Sequence, residues 1–355
     1  MKGAELGIED LEGFFRGLLE KEVVDCLVMP HVAGKNIAYM MVTDPKRIES
    51  SPGKAIFAPS FSVNAAGIVK GWTVANKVGL VAKPCEIRAA IELVKLNQMD
   101  KDSLLLISVD CAGAFENQVY ADHSDEIGEW LDSGKIEELK GKGIELREAC
   151  TICDSRLADV GDIGIVRLNG DKVVVTGLTN MGEAALTALE LALEDKEIER
   201  KDEKARIAEE AKKNEEALPK ISSIEELEAF LQDCIVCKNC RDVCPVCYCK
   251  ECFFDQPLGN PASGDLLNLA ELRGAIGVPA NQLFYHLTRV YHVSTTCVGC
   301  GACADACPKD IPLTRYYPVI ARKVQEIFEY EPGKDVEEPL PFVVYEEEEL
   351  EDKLR

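Results

Sequence analysis

The sequence predicts an α/β (α+β) domain followed by an α-helical, cysteine-bearing domain, and three observations lead there. Short apolar runs alternate with helical patterns up to about residue 190. A highly charged stretch then interrupts the chain. Beyond it, two cysteine runs of identical spacing are separated by segments whose apolar residues recur at helical intervals. At 355 residues the chain is longer than one core usually serves, so two domains are expected.

In residues 1–194, strands are expected at 23–29 (VVDCLVM), 78–82 (VGLVA), 104–110 (LLLISVD) and 163–168 (IGIVRL), where β-branched and other apolar residues cluster. Helical periodicity marks 86–97 (EIRAAIELVKLN) and 183–194 (EAALTALELALE). Residues 195–222 open with EDKEIERKDEKARIAEEAKKNEE, a solvated helix or linker that marks the domain boundary. After Pro219 a short helix (IEELEAFLQ) leads into the second domain, 223–325, and an acidic tail is expected over 326–355, with the run Glu346 to Glu351 solvated. A stretch of about 18 apolar residues, long enough for a membrane span, does not occur. The net charge of -23 argues against a nucleic-acid partner, which would need a basic face.

Cys234, Cys237, Cys240 and Cys244 precede Pro245, and Cys297, Cys300, Cys303 and Cys307 precede Pro308. This doubled C-x2-C-x2-C-x3-C-P spacing is the ligand run of a two-cluster ferredoxin, in which three cysteines grip one 4Fe-4S cube and the fourth reaches the other. Crosswise ligation assigns Cys234, Cys237, Cys240 and Cys307 to one cube, and Cys297, Cys300, Cys303 and Cys244 to the other. Paired zinc sites would more commonly show two C-x2-C pairs, and a disulfide framework belongs to short secreted chains. Fifty-two residues lie between Cys244 and Cys297, and their helical pattern (DLLNLAELRGAIG, NQLFYHLTRVYHV) favours a helical ferredoxin over a β-hairpin one. His286 and His292 on the second of these helices read as packed or capping residues rather than ligands.

Four sparser cysteines occupy the first half. Cys85 and Cys111 follow expected strands, and Cys150 and Cys153 form a C-x2-C pair. Ligands collect at the carboxyl ends of strands in α/β sheets, so these four could converge on a further cube. Spacing alone leaves open that they are small apolar core residues. Cys247, Cys249 and Cys252 crowd behind the first run with no assigned role, and Cys26 reads as core.

Several first-half segments resemble the β-subunit flavoprotein family of coenzyme F420-reducing hydrogenases, F420-dependent formate dehydrogenases and F420H2 dehydrogenase. The family's G-x-P-C-Q/E segment is matched by Lys83, Pro84, Cys85 and Glu86, with lysine in place of glycine. A strand ending in cysteine is matched at Cys111. The C-x2-C-x-D pair and the A-D-[IV]-x-x-G-D segment are matched by Cys150, Cys153, Asp154, Ala158, Asp159 and Val160 and, with altered spacing, Gly161, Asp162 and Gly164. GLLEKEVVDCLVMP resembles the family's leucine-rich helix and the strand after it. The likeness covers about residues 12–190, and the glycine-rich S-G-G-x-x-T opening is replaced by EDLEGFFRG.

The resemblance implies that Cys85, Cys111, Cys150 and Cys153 hold a third 4Fe-4S cluster with FAD beside it. It implies hydride exchange with coenzyme F420, and passage of single electrons through three clusters to or from a formate dehydrogenase, hydrogenase, heterodisulfide reductase or carbon monoxide dehydrogenase type of partner. Flavin chemistry can convert a hydride pair into single electrons. Lys83 with Pro84, the helix opening at Thr179, Asn180 and Gly182, and the small-residue loop at Asn64 are the candidate FAD contacts. Lys35, Arg47, Lys54, Lys70 and Arg88 are positions where a basic patch could meet the coenzyme's anionic tail. A chain that kept the fold but lost the flavin would be an electron-transfer adaptor. No signal peptide opens the sequence, so an anaerobic, cytoplasmic setting is expected.

Overall fold

The computed structural model describes residues 2–71, 77–133, 136–168, 171–195, 200–256, 262–274 and 281–343. Ten strands occur among them: β1 (Lys2–Gly7), β2 (Cys26–Ala33), β3 (Asn36–Val42), β4 (Ser60–Phe61), β5 (Val78–Ala82), β6 (Leu104–Val109), β7 (Phe115–Glu116), β8 (Ile163–Arg167), β9 (Lys172–Gly177) and β10 (Glu194–Asp195). Eight of these form one sheet in the order β10-β1-β9-β8-β6-β5-β2-β3, with the central β8, β6, β5 and β2 parallel and the outer strands antiparallel. β4 and β7 form a separate parallel pair.

The period-2 alternation of the central strands divides the core. Leu27, Met29, Val81, Leu105, Ile107 and Val109 face one helix layer, whereas Val28, Leu80, Ala82, Leu104 and Leu106 face the other. The first layer includes the Leu11–Glu20 helix, whose buried Leu11, Phe14, Phe15, Leu18 and Leu19 recur at helical spacing. Burying five such side chains contributes about 10 kcal/mol before chain entropy is charged against it. The second layer is the Pro84–Lys95 helix, which Pro84 starts at a position needing no N–H donor. Cys26 lies in this core, 1% exposed.

The sequence pattern and the structure part at several points. The strand expected at 23–29 runs from Cys26 to Ala33, because Glu22 turns in the left-handed region and Val24 still bonds back to the preceding helix. The helix expected over 183–194 spans Asn180–Ala188. It stops before Glu190, whose φ is +57°, and Glu194–Asp195 then pairs with β1. The charged stretch forms the Lys201–Glu216 helix, docked through buried Ile207 and Ala211.

In the second half the Ser263–Arg273 and Asn281–Val293 helices separate the two cysteine runs. The Ile224–Leu231, Asn281–Val293 and Tyr317–Ile327 helices supply Leu227, Leu231, Tyr285, Val290, Val293 and Tyr317 to its core. Residues after 326, expected as a solvated tail, return to the first half over their described part. Tyr330 Oη donates to buried Glu92 at 2.6 Å, Gly333 N donates to the same oxygen at 2.7 Å, and Arg88 Nε donates to Pro332 O at 2.6 Å. The run Glu346 to Glu351 lies outside the described residues. Among the described residues no helix is long and apolar enough to cross a membrane.

Tyr330→Phe leaves Glu92 a buried acceptor short of a donor. A loss of about 1–3 kcal/mol in denaturant unfolding is expected, and an unchanged midpoint would show that the returning segment bears no load.

Candidate metal centres and an arginine-lined groove

In both cysteine runs the backbone curls the same way. Val236 and Lys238 in the first, and Gly299 and Gly301 in the second, all have φ between 52° and 75°. Each run therefore turns left-handed just before its second cysteine and again just after it. That curl brings three sulfurs of a run to one side. Val236 N donates to Cys234 Sγ at 3.4 Å within this turn. A β-branched valine at positive φ is strained by about 1–3 kcal/mol, which the surrounding contacts must hold in place.

The runs meet crosswise. Cys234, Cys237, Cys240 and Cys307 line one small cavity with Tyr285 and His286. Cys244 instead lies among Cys297, Cys300 and Cys303. A third cavity gathers Cys85, Cys111, Cys150 and Cys153 with Lys83, Pro84 and Arg147, and Cys300 of the second run borders it. The carboxyl ends of β5 and β6 deliver Cys85 and Cys111 there, since Ala82 and Ser108 are paired in register. Four soft sulfurs per cavity is the donor set of a 4Fe-4S cube.

Burial dominates the electrostatics. It pushes the Cys111 and Cys300 thiols up to about 12 and Cys297 up to about 11, and it raises Cys85, Cys153, Cys240 and Cys303 as well. Thiolates must replace these thiols before iron is held, so the cavities need positive charge. Lys83, 6% exposed, opposes the rise at Cys111. Arg147 crosses the seam between the halves: Nη1 lies 3.6 Å from Cys150 Sγ, Nη2 donates to Cys300 O at 2.9 Å, and the guanidinium pairs with Asp305 at 2.5 Å over the Phe61 ring. Gly301 faces Ala149 and Arg147 so closely that a Cβ would lie 2.3 Å from Ala149 Cβ.

The remaining candidates separate into two places. Asn64, Lys83 and Pro84 gather near the Cys85 cavity. Asn64 caps a short helix, Glu86 accepts from Ala65 N and Lys83 N, and Asn64 Nδ2 is buried without a partner among the described residues. Thr179, Asn180 and Gly182 do not join them. Thr179 bonds to Asp162, which sits level with Leu106, five residues from Cys111 and so about 16 Å back along the sheet. A Cβ at Gly182 would lie 1.8 Å from Asp162 O, so the chain's own backbone fills the space offered to a pyrophosphate. Lys70 bonds to Cys247 O, and Arg88 to Pro332 O and Ser155, so neither is a free basic position. His286 contacts the site through Cys234 Sγ, 3.3 Å from Nε2, while Nδ1 lies 2.6 Å from Tyr317 Oη. Cys247 shares a hydrogen bond with Cys244, Cys252 joins the second core, and Cys249 is exposed.

A groove of about 590 Å³, within the range of ligand sites, opens directly beside Cys111. Arg156, Arg167, Arg200 and Arg206 line it, with Phe57 and Ile207 among its apolar walls. Arg200 pairs with Asp110 at 2.8 Å, and Arg167 lies 5.6 Å from the centre of the Phe57 ring. These arginines are scattered over 50 residues of sequence and share no motif. The one local signal is Asp110 beside Cys111 at a strand end, which turns the groove toward the cysteines.

Gly299→Ala and Gly301→Ala both place a side chain at positive φ, but only the second also meets the seam. Gly301→Ala is expected to cost about 1–3 kcal/mol more in denaturant unfolding. Equal losses would mean that the seam can relax.

Comparison with known proteins places these features in a lineage. Residues 230–311 match the 4Fe-4S dicluster domain family. The F420-dependent formate dehydrogenase subunit beta of Methanocaldococcus jannaschii is 27% identical over 360 residues, covering 90% of each chain. The F420-dependent formate dehydrogenase 1 subunit beta of Methanococcus maripaludis is 28% identical over 366 residues, covering 92% of this chain and 90% of that one. A chain of the F420-reducing [NiFe] hydrogenase complex from Methanosarcina barkeri overlaps 61% of this chain and 91% of its own at 13% identity and TM-score 0.44, a loose likeness. The resemblance read in the sequence holds: over nine-tenths of its length the chain is similar to F420-dependent formate dehydrogenase beta subunits, and its second half matches a 4Fe-4S dicluster domain.

Proposed function

We propose that the protein is an FAD- and iron-sulfur-containing oxidoreductase subunit that exchanges hydride with coenzyme F420 and relays single electrons through three 4Fe-4S clusters. The observation that carries this reading is the serial arrangement of the cysteine cavities. The Cys85 cavity borders Cys300, the Cys297 cavity takes Cys244, and Cys240, in the run that ends at Cys244, belongs to the last one. The groove beside Cys111 lies at the start of that series.

Bound FAD would supply the conversion between a hydride and single electrons. The chain's residues do the rest. The groove's four arginines, Arg156, Arg167, Arg200 and Arg206, outnumber its acids Asp110, Asp171 and Glu203 and leave it a small positive excess for a phosphate, Phe57 and Ile207 give an apolar wall for a ring system, and buried Lys83 keeps positive charge at the adjoining cysteines. The names of the relatives support coenzyme F420 as the hydride partner and a formate dehydrogenase as the redox partner. A hydrogenase, heterodisulfide reductase or carbon monoxide dehydrogenase type would connect at the same end.

The adaptor reading draws on one observation. Residues Leu11–Glu20, where the family's glycine-rich opening is expected, form an ordinary helix buried on the sheet. Anaerobically purified protein decides between the two. The flavoprotein carries about one FAD and about twelve iron atoms, and its clusters become reduced when reduced coenzyme F420 is added. The adaptor carries iron alone and responds only to dithionite. Cys111→Ala is expected to remove about four irons of the twelve and to break this response, while leaving about eight in place.

A further inference from the structure

Arg289 lies on the Asn281–Val293 helix, only 3% exposed. Its side chain hydrogen-bonds to Cys244, Cys247 and Tyr317, whereas Nε and Nη1 are buried without partners among the described residues, and its guanidinium lies 4.0 Å from the centre of the Tyr317 ring. Burying an arginine with part of its donor set unpaired is costly, so the position needs a reason. Its neighbours are sulfur. Its side chain bonds to Cys244 and Cys247, and Cys303 and Cys240 also feel its charge. Cys244 and Cys303 belong to one cavity and Cys240 to the next. Arg289 therefore fills the gap between the two second-half cavities, as Arg147 does between the first two.

We propose that Arg289 is a positioning residue for electron transfer, whose charge acts on both second-half clusters and holds their reduction potentials up. This inference rests on the reading that both cavities hold 4Fe-4S cubes. Reduction adds one negative charge to a cube, and a fixed cation nearby in a dry interior favours that form. The helix serves the site through one face. Tyr285 Oη lies 3.4 Å from Cys240 Sγ, His286 Nε2 contacts Cys234 Sγ, and Arg289 follows Tyr285 at i+4. Tyr285 and His286 are neutral partners, which leaves Arg289 as the full charge on that face.

The test is a redox titration of the full-length holoprotein followed by electron paramagnetic resonance, with iron counted in parallel, on wild type, Arg289→Met and Arg289→Gln. With wild-type iron content, Arg289→Met is expected to lower the midpoint of at least one second-half cluster and to leave the Cys85 cluster unmoved. Unshifted midpoints at full iron content overturn the proposal. Should Arg289→Met lose iron, Arg289→Gln, which keeps a donor and loses the charge, decides by the same criterion. Iron loss in both variants shows a structural role and overturns it too. Wild-type protein lacking the second-half iron would sink the cluster reading itself, an outcome distinct from unshifted midpoints, and the proposal with it.

Discussion

Buried sulfur set against buried guanidinium is the interaction on which the rest of this structure hangs. Low dielectric keeps Cys85, Cys111, Cys297, Cys300 and Cys303 protonated when they are alone. Arg147 and Arg289 supply charge of the other sign at the two gaps between cavities, and Lys83 does so near the groove. Each cation is held by its own scaffold: Phe61 and Asp305 for Arg147, Tyr317 for Arg289. The cysteine groups and the cations beside them alternate from the sheet domain into the helical one.

The fold explains how residues so far apart come together. Parallel strands end at one edge of the sheet, and the loops after β5 and β6 carry Cys85 and Cys111 to it. The C-x2-C pair comes from the short Glu148–Thr151 helix, and Glu148 also accepts from Thr314 and Arg315 of the other half. Some of the contacts that join the halves are thus made by residues beside the cysteines, and the segment at 330–333 adds others. Rigidity there serves the distances between centres, which electron transfer requires to be short and fixed.

Much of this was legible in the sequence, and for reasons that can be named. Cysteine spacing is local, so the doubled run and its crosswise pattern were readable, as were β5 and the Asn281–Val293 helix, whose bounds follow their apolar periodicity. The strand β1 was not, because it takes its pairing from β9 and β10, distant in sequence, and neither was the edge strand β3, the second arm of a hairpin with β2. Arg147 and Arg289 were invisible as site residues, since an isolated arginine looks like surface until its neighbours are known. Arg289 did leave a trace: it interrupts the apolar face of its helix one turn after Tyr285. Thr179 and Gly182 misled in the opposite sense. A small residue at a helix start suits a phosphate, but it equally suits the carbonyl of Asp162, which is what occupies it.

The returning segment fixes the order in which the molecule can be completed. Glu92 lies on the helix that begins with Pro84 and Cys85, yet two of its hydrogen bonds come from Tyr330 and Gly333. Arg88, on the same helix, is closed over by Pro332. During synthesis the amino-terminal domain therefore emerges with its interior unfinished on that side and stays so until residues 330–333 have followed it.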